Sequence, residues 1–421
     1  MQTGRWLPLF VLVCPCLVAG SAQAEPLAEM AGTQSVCRSG PDRAVAKAQL
    51  LRGEAGVLSA AVLPNPSLHV EHQQSMQGAT DRETIVGISV PLGLGGRRWL
   101  LQDAAEARRQ QALAEAHLTL FDSALAFRQA YVTASIDRAR VELLTAEQAA
   151  LDAVSTTIAQ LAKGGEAASY DKLRQATLAR LHQQSLELAK AQELASRTML
   201  EVWTEREVTL PPQSLAVLGG GATVEALKLD GRATPDVESL RARARAAELE
   251  ARAARRRWVP DLGLFAGYRN VRAGSETGHG VGLGLEIPLT FFDRGQGEAA
   301  MADAEQQSAR SAVVRVLQGR KVQLKAARAN LTRLEAIVST TEATSRDALL
   351  VRDKALQLYR AGEASITELL EAFQVAEAAQ LAALEVAREA ALGRLAVMRA
   401  AGTMFDAALD RECRALSGGA Q

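Results

Sequence analysis

Three stretches of the chain alternate apolar residues with small or polar ones at a period of two. In residues 280–289, which read GVGLGLEIPL, every second side chain is apolar, and residues 262–268 and 86–90 repeat the alternation. The apolar positions are Val86, Ile88, Val90, Leu262, Leu264, Ala266, Tyr268, Val281, Leu283, Leu285, Ile287 and Leu289. This pattern predicts strands with one apolar face, and such runs can reach the roughly 9–11 residues that cross a bilayer as a tilted strand. For an isolated run, an ordinary soluble hairpin is the alternative.

Two much longer segments, residues 99–161 and 296–359, have a helical pattern. In the first of them Leu113, Leu120, Phe127, Ala134 and Val141 recur every seven residues, as in coiled-coil packing. At 1.5 Å per residue each segment would extend roughly 90–100 Å, which is longer than a globular domain is wide. A filamentous coiled coil is the alternative, and the strand pairs that precede both segments argue against it.

Short sequence features recur at a nearly constant interval. Pro41-Asp42 returns 194 residues later as Pro235-Asp236, and Gly165-Glu166-Ala167 returns 197 residues later as Gly362-Glu363-Ala364. The chain is therefore predicted to be a duplication. Each copy runs through a helix, two strands, a long helix, a glycine turn and a further helix.

Five segments follow from these features. They are a signal peptide at 1–24, a first repeat at 25–209, a linker rich in proline and glycine at 210–236, a second repeat at 237–403 and a tail at 404–421. The signal peptide is predicted from Arg5, the apolar stretch Leu7–Ala19 and the small residues around Gln23. Export to an oxidising compartment would allow Cys37 and Cys413, the two cysteines left after cleavage, to pair; two independent thiols are the alternative.

Basic and tryptophan residues flank both strand pairs. Arg97, Arg98 and Trp99 follow the first pair, and residues 255–258, which read RRRW, precede the second. Such side chains suit an anionic headgroup boundary. Four strands cannot close a barrel, because about eight is the smallest number seen, so several chains would have to contribute.

The composition and the motifs argue against several other functions. Lysine plus arginine equals aspartate plus glutamate at 48 each, so no basic field predicts a nucleic-acid partner. His69 and His72 would point to opposite faces of a strand, which argues against a metal site. No catalytic constellation or cofactor motif is present in the sequence, and we predict neither an enzyme nor a bound cofactor.

Several motifs together resemble the TolC outer-membrane efflux family. They are LPNPSL before the first strand, PLGLGGRR after the first pair, IPLTFFDRGQGE after the second pair and YRAGEASITELLEA at the second glycine turn. With the duplicated plan, the resemblance covers nearly all of the chain after residue 24. The LGLGGRR and FFDRGQG motifs look most like the branch that serves heavy-metal efflux pumps.

The resemblance implies a mainly α fold with a small β part, assembled as a homotrimer. Its twelve strands would form a barrel in the outer membrane of a Gram-negative bacterium, surrounded by outer-membrane lipid, and its helices a tunnel across the periplasm. It would be a passive conduit for heavy-metal cations, with a periplasmic membrane-fusion adaptor and an RND-type inner-membrane pump as partners. The alternatives are an exit duct for drugs or a type I secretion system, a periplasmic adaptor, and a coiled-coil structural protein.

The same resemblance assigns roles to residues at the two glycine turns. The adaptor would dock at Gly164, Gly165, Glu166 and Ala167 and at Gly362, Glu363, Ala364 and Ser365. Glu368 and Glu371 would line the periplasmic entrance, and Tyr359 with Asp171 would form a hydrogen-bonded link that helps to close it. The alternative for both glutamates is a solvated outer face. Both chain ends, with Cys37 and Cys413, would lie around the middle of the tunnel.

Overall fold

The computed structural model describes residues 27–75, 81–93, 95–161, 166–211, 218 and 234–402, together with 409, 411, 413 and 415. Side chains of residues 159–169 are excluded from this description. The predicted signal peptide, most of the linker and most of the tail lie outside the described residues, so the five predicted segments stay a prediction.

Long helices make up most of the described chain. They are α1 (Glu29–Ser39), α2 (Pro41–Ala61), α3 (Arg97–Leu161), α4 (Glu166–Thr204), α5 (Pro235–Arg255), α6 (Gln296–Ala361) and α7 (Ile366–Ala401). The 65 residues of α3 and the 66 of α6 each extend about 98 Å. Helix α1 was absent from the prediction, whereas the two long helices lie within two residues of their predicted bounds.

Four antiparallel strands form one sheet in sequence order. They are β1 (Ser67–Gln74), β2 (Arg82–Pro91), β3 (Gly263–Ala273) and β4 (Glu276–Glu286). All connections to helices leave from one end of the sheet, which we call the sheet base, and both hairpin turns lie at the other end, the sheet tip. Strand β4 ends before Ile287, although the alternation continues to Leu289, because Pro288 cannot donate a ladder hydrogen bond.

The two faces of the sheet differ in chemistry. One face, the apolar face, carries side chains that pair across the strands, such as Val70, Val86, Tyr268 and Val281 in one row. These side chains are exposed, and Val281 reaches 88%. The polar face carries His69 and Glu71 of β1, Glu83 of β2, Arg269 of β3, and the four glycines 278, 280, 282 and 284 of β4. A single chain therefore leaves an apolar sheet surface uncovered.

The largest core lies halfway along α3, where the ends of the described chain meet. Phe127 and Tyr131 are fully buried there, and the Tyr131 hydroxyl donates to the carbonyl of Leu27 at 2.9 Å. The disulfide expected between Cys37 and Cys413 is present, with the two Cα atoms 4.9 Å apart. The core packs α1, α3, α4 and α7 together, so the tertiary fold brings the chain ends to the middle of the long helices.

The mainly α architecture with a small β part confirms the predicted fold class. Among the described residues, none of the helices is both long enough and apolar enough to cross a bilayer. In the same part of the chain, no group of three His, Cys, Asp or Glu side chains is arranged to hold a metal ion.

Candidate functional site

The turn between α6 and α7 is a tight reversal built on glycine. Gly362 ends α6 with φ of 77°, a left-handed conformation that glycine adopts without strain. Its amide donates to the carbonyl of Tyr359, and the amide of Glu363 donates to that of Leu358 at 2.9 Å. No atom lies within 4 Å of the position that a Cβ of Gly362 would occupy. The turn therefore offers open space to a partner.

Helix α7 begins with a capping box made by Ser365 and Glu368. The Ser365 hydroxyl accepts from the Glu368 amide, and the Glu368 carboxylate accepts from the Ser365 amide at 2.7 Å and from its hydroxyl at 2.9 Å. These hydrogen bonds, with that of the backbone amide first, lower the pKa of Glu368. The carboxylate thus stays ionised and is directed at its own helix terminus. Sequence reasoning missed this contact, although the S-x-x-E spacing signals it.

The acidic side of α7 faces solvent in the single chain. Glu368, Glu371 and Thr367 are exposed, whereas Ile366, Leu369, Leu370 and Phe373 are buried. Arg174 of α4 donates to the Thr367 hydroxyl at 2.8 Å, so α4 borders this surface. Exposure of this kind is compatible with an entrance and with an outer surface alike, and only the assembly distinguishes them.

Tyr359 and Asp171 approach each other below the turn. Partial burial raises the pKa of Tyr359, and the negative charge of Asp171 raises it further. Both residues are described, and no hydrogen bond joins them in this chain. The Asp171 carboxylate is therefore close enough to Tyr359 to raise its pKa through charge. The hydrogen-bonded link between the two residues stays a prediction.

The first glycine turn can be followed only in part. Gly164 and Gly165 lie outside the described residues, and α4 starts at Glu166 and continues through Ala167. The helices that flank this turn nevertheless reach the same end of the molecule as the α6–α7 turn. Leu151, Val154 and Ile158 of α3 form one buried cluster with Leu369 and Phe373 of α7.

Buried polar contacts lie next to this cluster and join all four helices; we call them the polar layer. Glu147 of α3 accepts from Arg352 of α6 at 2.5 Å and from Gln380 of α7 at 2.9 Å. His182 of α4 contacts Glu377 of α7 at 3.1 Å and the carbonyl of Leu144 at 2.8 Å. Sequence reasoning missed these residues, because each polar pair joins separate helices and no short motif marks it.

Carboxylates neutralise most of the basic residues at the sheet base. Arg97 and Arg257 both contact Glu298, and Arg255 contacts Asp303. Residues of α6 thus pair with three of the guanidinium groups, and the expectation that this cluster lies at a headgroup boundary stays a prediction. Aromatic side chains remain exposed at the same level: Trp99, Trp258, Phe291 and Phe292, the last of them 94% exposed.

Sequence comparison finds a family match in the second half of the chain. Residues 232–403 match the family described as outer membrane efflux protein. Across these residues, the chain is similar to outer membrane efflux proteins. The match confirms the resemblance recognised from the strand exits and the glycine turns.

Two curated relatives and one solved structure extend this result. The chain is 26% identical to the nickel-cobalt-cadmium resistance protein NccC of Alcaligenes xylosoxydans xylosoxydans over 58% of its length. It is also 26% identical to the cobalt-zinc-cadmium resistance protein CzcC of Cupriavidus metallidurans over 65% of its length. The open state of the MtrE outer membrane channel of Neisseria gonorrhoeae matches with a TM-score of 0.73 at 15% identity, over 89% of both chains.

The chain spans 55% of the length of NccC and 65% of that of CzcC. The likeness to MtrE establishes the fold of the chain. The three names describe resistance proteins and a channel, and none of them describes an enzyme.

Proposed function

We propose that this protein is the outer-membrane channel of an efflux pump, assembled as a homotrimer. The observation that carries the proposal is the four-stranded sheet, which has an exposed apolar face and stands on helices about 98 Å long. An exposed apolar surface of this kind needs lipid or protein to cover it.

The open edges of the sheet support the assembly. Strands β1 and β4 are the two edges, and they run in opposite directions between base and tip. In a ring of copies, β4 of one chain would therefore pair antiparallel with β1 of the next, and three copies would close a barrel of twelve strands. Closure removes the unpaired edges that make a free sheet prone to aggregation.

The apolar face and its flanks support a location in the outer membrane. The exposed apolar positions Val281, Leu283 and Leu285 of β4 continue beyond the strand end as Ile287 and Leu289, as expected for a surface that contacts the apolar band of a membrane. Trp99 and Trp258 lie exposed at the sheet base, where interfacial tryptophans anchor a barrel. The helices would then extend into the periplasm, and the sheet tip would face the cell exterior.

Cysteine cross-linking tests the ring directly. Glu71→Cys on β1 is combined in turn with a cysteine at each of Gly278, Gly280, Gly282 and Gly284 on β4, all on the polar face. Oxidation of outer membranes should yield a covalent trimer at one or two adjacent β4 positions. Monomers at all four positions, with the protein present in the membrane, would reject the ring.

The cargo proposed for the channel is divalent heavy-metal cations. The support is that both curated relatives are named for resistance to cobalt and cadmium, with nickel or zinc in addition. Deletion of the gene should sensitise the native host to some of these four metals, and a plasmid copy should restore growth. Sensitivity to drugs with unchanged metal tolerance would instead favour a drug exit duct.

The proposed partners are a periplasmic adaptor and, through it, an inner-membrane pump. The support is the open space at Gly362, beside Glu363, Ala364 and Ser365; Gly164, Gly165, Glu166 and Ala167 of the first turn would dock in the same way. Gly362→Asn adds a side chain at the proposed contact, and asparagine tolerates the left-handed conformation of this position. Efflux should fall while trimers persist.

A matched control exists at the other end of the molecule. Gly274 at the sheet tip also has a positive φ, of 55°, and open space around its Cβ position. Gly274→Asn should therefore leave efflux intact. Loss of trimers in Gly362→Asn, or equal loss of efflux in both variants, would count against docking at the α6–α7 turn.

The entrance is proposed to be lined by Glu368 and Glu371, with Tyr359 and Asp171 behind them. A ring of six carboxylates in a trimer would attract cations, as charged rings in channels do. Glu368→Gln with Glu371→Gln removes both charges, and glutamine at position 368 can still complete the capping box. Single-channel recordings should show weaker cation preference; unchanged selectivity would place both acids on the outer surface.

A further inference from the structure

Two arginines stand directly opposite each other at the sheet tip. Arg82 of β2 and Arg272 of β3 are register partners, flanked by Gln74 of β1 and Thr277 of β4. Like charges placed opposite each other on one face destabilise a strand pair. Among the described residues, neither guanidinium forms an ion pair, and both side chains are exposed. No carboxylate of the described part of the chain therefore compensates the two charges.

These arginines lie on the apolar face of the sheet. Counting by twos along β2 leads from Arg82 through Thr84 to the exposed Val86 and Ile88. The intermediate row is polar: His72 contacts the Thr84 hydroxyl at 2.9 Å, and Asn270 contacts His279 at 3.3 Å. Moving toward the tip, the face thus changes from apolar to hydrogen-bonding and then to cationic.

Carboxylates pair with several other arginines around the sheet. On the polar face, Arg269 contacts Glu83 at 2.5 Å. At the sheet base, Arg97 and Arg257 share Glu298. Where the apolar face meets the tip, by contrast, Arg82 and Arg272 lie opposite each other and neither has an ion pair among the described residues.

We infer that Arg82 and Arg272 bind the phosphate of a phosphorylated lipid headgroup in the outer leaflet. Partner residues on adjacent strands have Cβ atoms about 5 Å apart, which lets two guanidinium groups reach one phosphate. Arginine favours phosphate because its planar fork donates two hydrogen bonds at once. An acyl chain below such a headgroup would lie on the apolar rows of Val86 and Tyr268.

The inference rests on the proposed function, because it places the sheet tip at the outer surface of the membrane. In a homotrimer the pair would occur once on each chain and form a basic ring around the barrel. The ring would hold the barrel at a fixed depth, since the charged row cannot enter the apolar part of the bilayer without a large cost.

The test compares two double variants that lose the same charge. Arg82→Gln with Arg272→Gln removes the tip pair, and Arg255→Gln with Arg257→Gln removes two arginines that carboxylates already neutralise. Binding of bisphosphorylated lipid A to the detergent-purified trimer is titrated by native mass spectrometry. The tip variant should bind at least about tenfold more weakly, and the base variant should differ from wild type by less than about twofold.

Three further binding measurements test whether the ligand is a phosphate and whether that phosphate belongs to a lipid. With dephosphorylated lipid A in place of lipid A, the wild type and the tip variant should bind with equal affinity. Inorganic phosphate at millimolar concentration should fail to displace lipid A; full displacement would assign the site to a free anion and overturn the lipid proposal. Arg82→Lys with Arg272→Lys should bind with intermediate affinity, because lysine keeps the charge without the fork.

The outcomes separate the inference from the proposed function. A wild-type protein that forms no trimers in the outer membrane would overturn the channel itself. Wild-type trimers in the outer membrane, with equal lipid A binding by the wild type and the tip variant, would overturn the inference alone. Equal weakening in the tip and base variants would show a non-specific charge effect and would also overturn it.

Discussion

The middle of the long helices and the end at the α6–α7 turn both pack α3 against α7, yet they are stabilised differently. In the middle, Phe127 and Tyr131 are fully buried, Arg128 pairs with Glu29 at 2.6 Å, and a disulfide joins the chain ends. At the turn, a smaller apolar cluster lies beside the polar layer, and the surface is open around Gly362. The middle is fully packed within a single chain, whereas the surface around the α6–α7 turn is accessible to a partner.

This difference indicates that the middle of a single chain is more strongly stabilised than the turn. The middle combines burial, a covalent bond and a charge pair whose arginine is only 2% exposed. The turn depends on polar contacts between helices, which contribute little net free energy but are costly to break singly. We therefore expect mutations in the middle to act on global stability and mutations at the turn to act locally.

The largest effect is expected in the middle core. Phe127→Ala should lower the free energy of unfolding by about 3–5 kcal/mol, because it leaves a cavity against α1. Thermal denaturation in detergent, followed by circular dichroism, measures the loss. Phe292→Ala removes an equally large but exposed side chain and should leave the midpoint nearly unchanged; similar losses would contradict the burial of Phe127.

Loss of the disulfide should come next. Replacing Cys37 and Cys413 by serine should cost about 2–4 kcal/mol, since the bond closes a very long loop of the unfolded chain. Thermal denaturation of the wild type with and without reductant measures the same loss of stability independently. Hydrogen exchange near Leu369 should stay unchanged, whereas faster exchange there would show that the middle and the turn act as one unit.

Near the turn, substitution of Glu147 should cause a smaller loss of stability than the changes in the middle. Glu147→Ala should cost about 2 kcal/mol, because it leaves the largely buried Arg352 with only Asp353 as an anionic partner. Glu147→Leu with Arg352→Met should recover most of this loss, since an apolar pair avoids the desolvation penalty. A double-mutant cycle measures the coupling, and additive single losses would contradict a direct pair.

The smallest effect concerns the capping box. The pKa of Glu368 is lowered in the folded chain, so its contribution is present above the ordinary glutamate pKa of about 4.3 and is lost as pH falls through the lowered value. Hydrogen exchange of the first turn of α7, corrected for intrinsic rates, should therefore accelerate below about pH 4 in the wild type. Glu368→Gln should remove most of this dependence, whereas Glu371→Gln should retain it.

The repeated elements could be predicted because their signals are local. The period of two predicted strands β2, β3 and β4, the seven-residue repeat from Leu113 to Val141 predicted a long packed helix, and the glycine at position 362 predicted the turn. Helix α1 was missed because its apolar positions have no counterpart in the duplication that guided the prediction. It is held in place by contacts with α3, such as the close approach of Gly32 to Phe127.

Candidate residues were predicted less completely than the fold. The hydrogen-bonded link between Tyr359 and Asp171 stays a prediction, although the charge of Asp171 raises the pKa of Tyr359. Glu368 lies in the first turn of α7. Its capping role and the Glu147 contacts went unnoticed. Arg352 and Gln380 lie 205 and 233 residues from Glu147 along the chain, so only helix packing could identify them.

The sequence by itself determined the type and order of most elements, the resemblance to an efflux family and the position of the second glycine turn. These properties follow from the backbone preferences and the spacing of nearby residues. Only the tertiary structure decided which arginines are neutralised. Arg97 contacts Glu298, 201 residues away, because the first turns of α3 and α6 both lie at the sheet base, whereas the strand register places Arg82 opposite Arg272. Charge pairing depends on which surfaces meet, and that is a property of the folded chain.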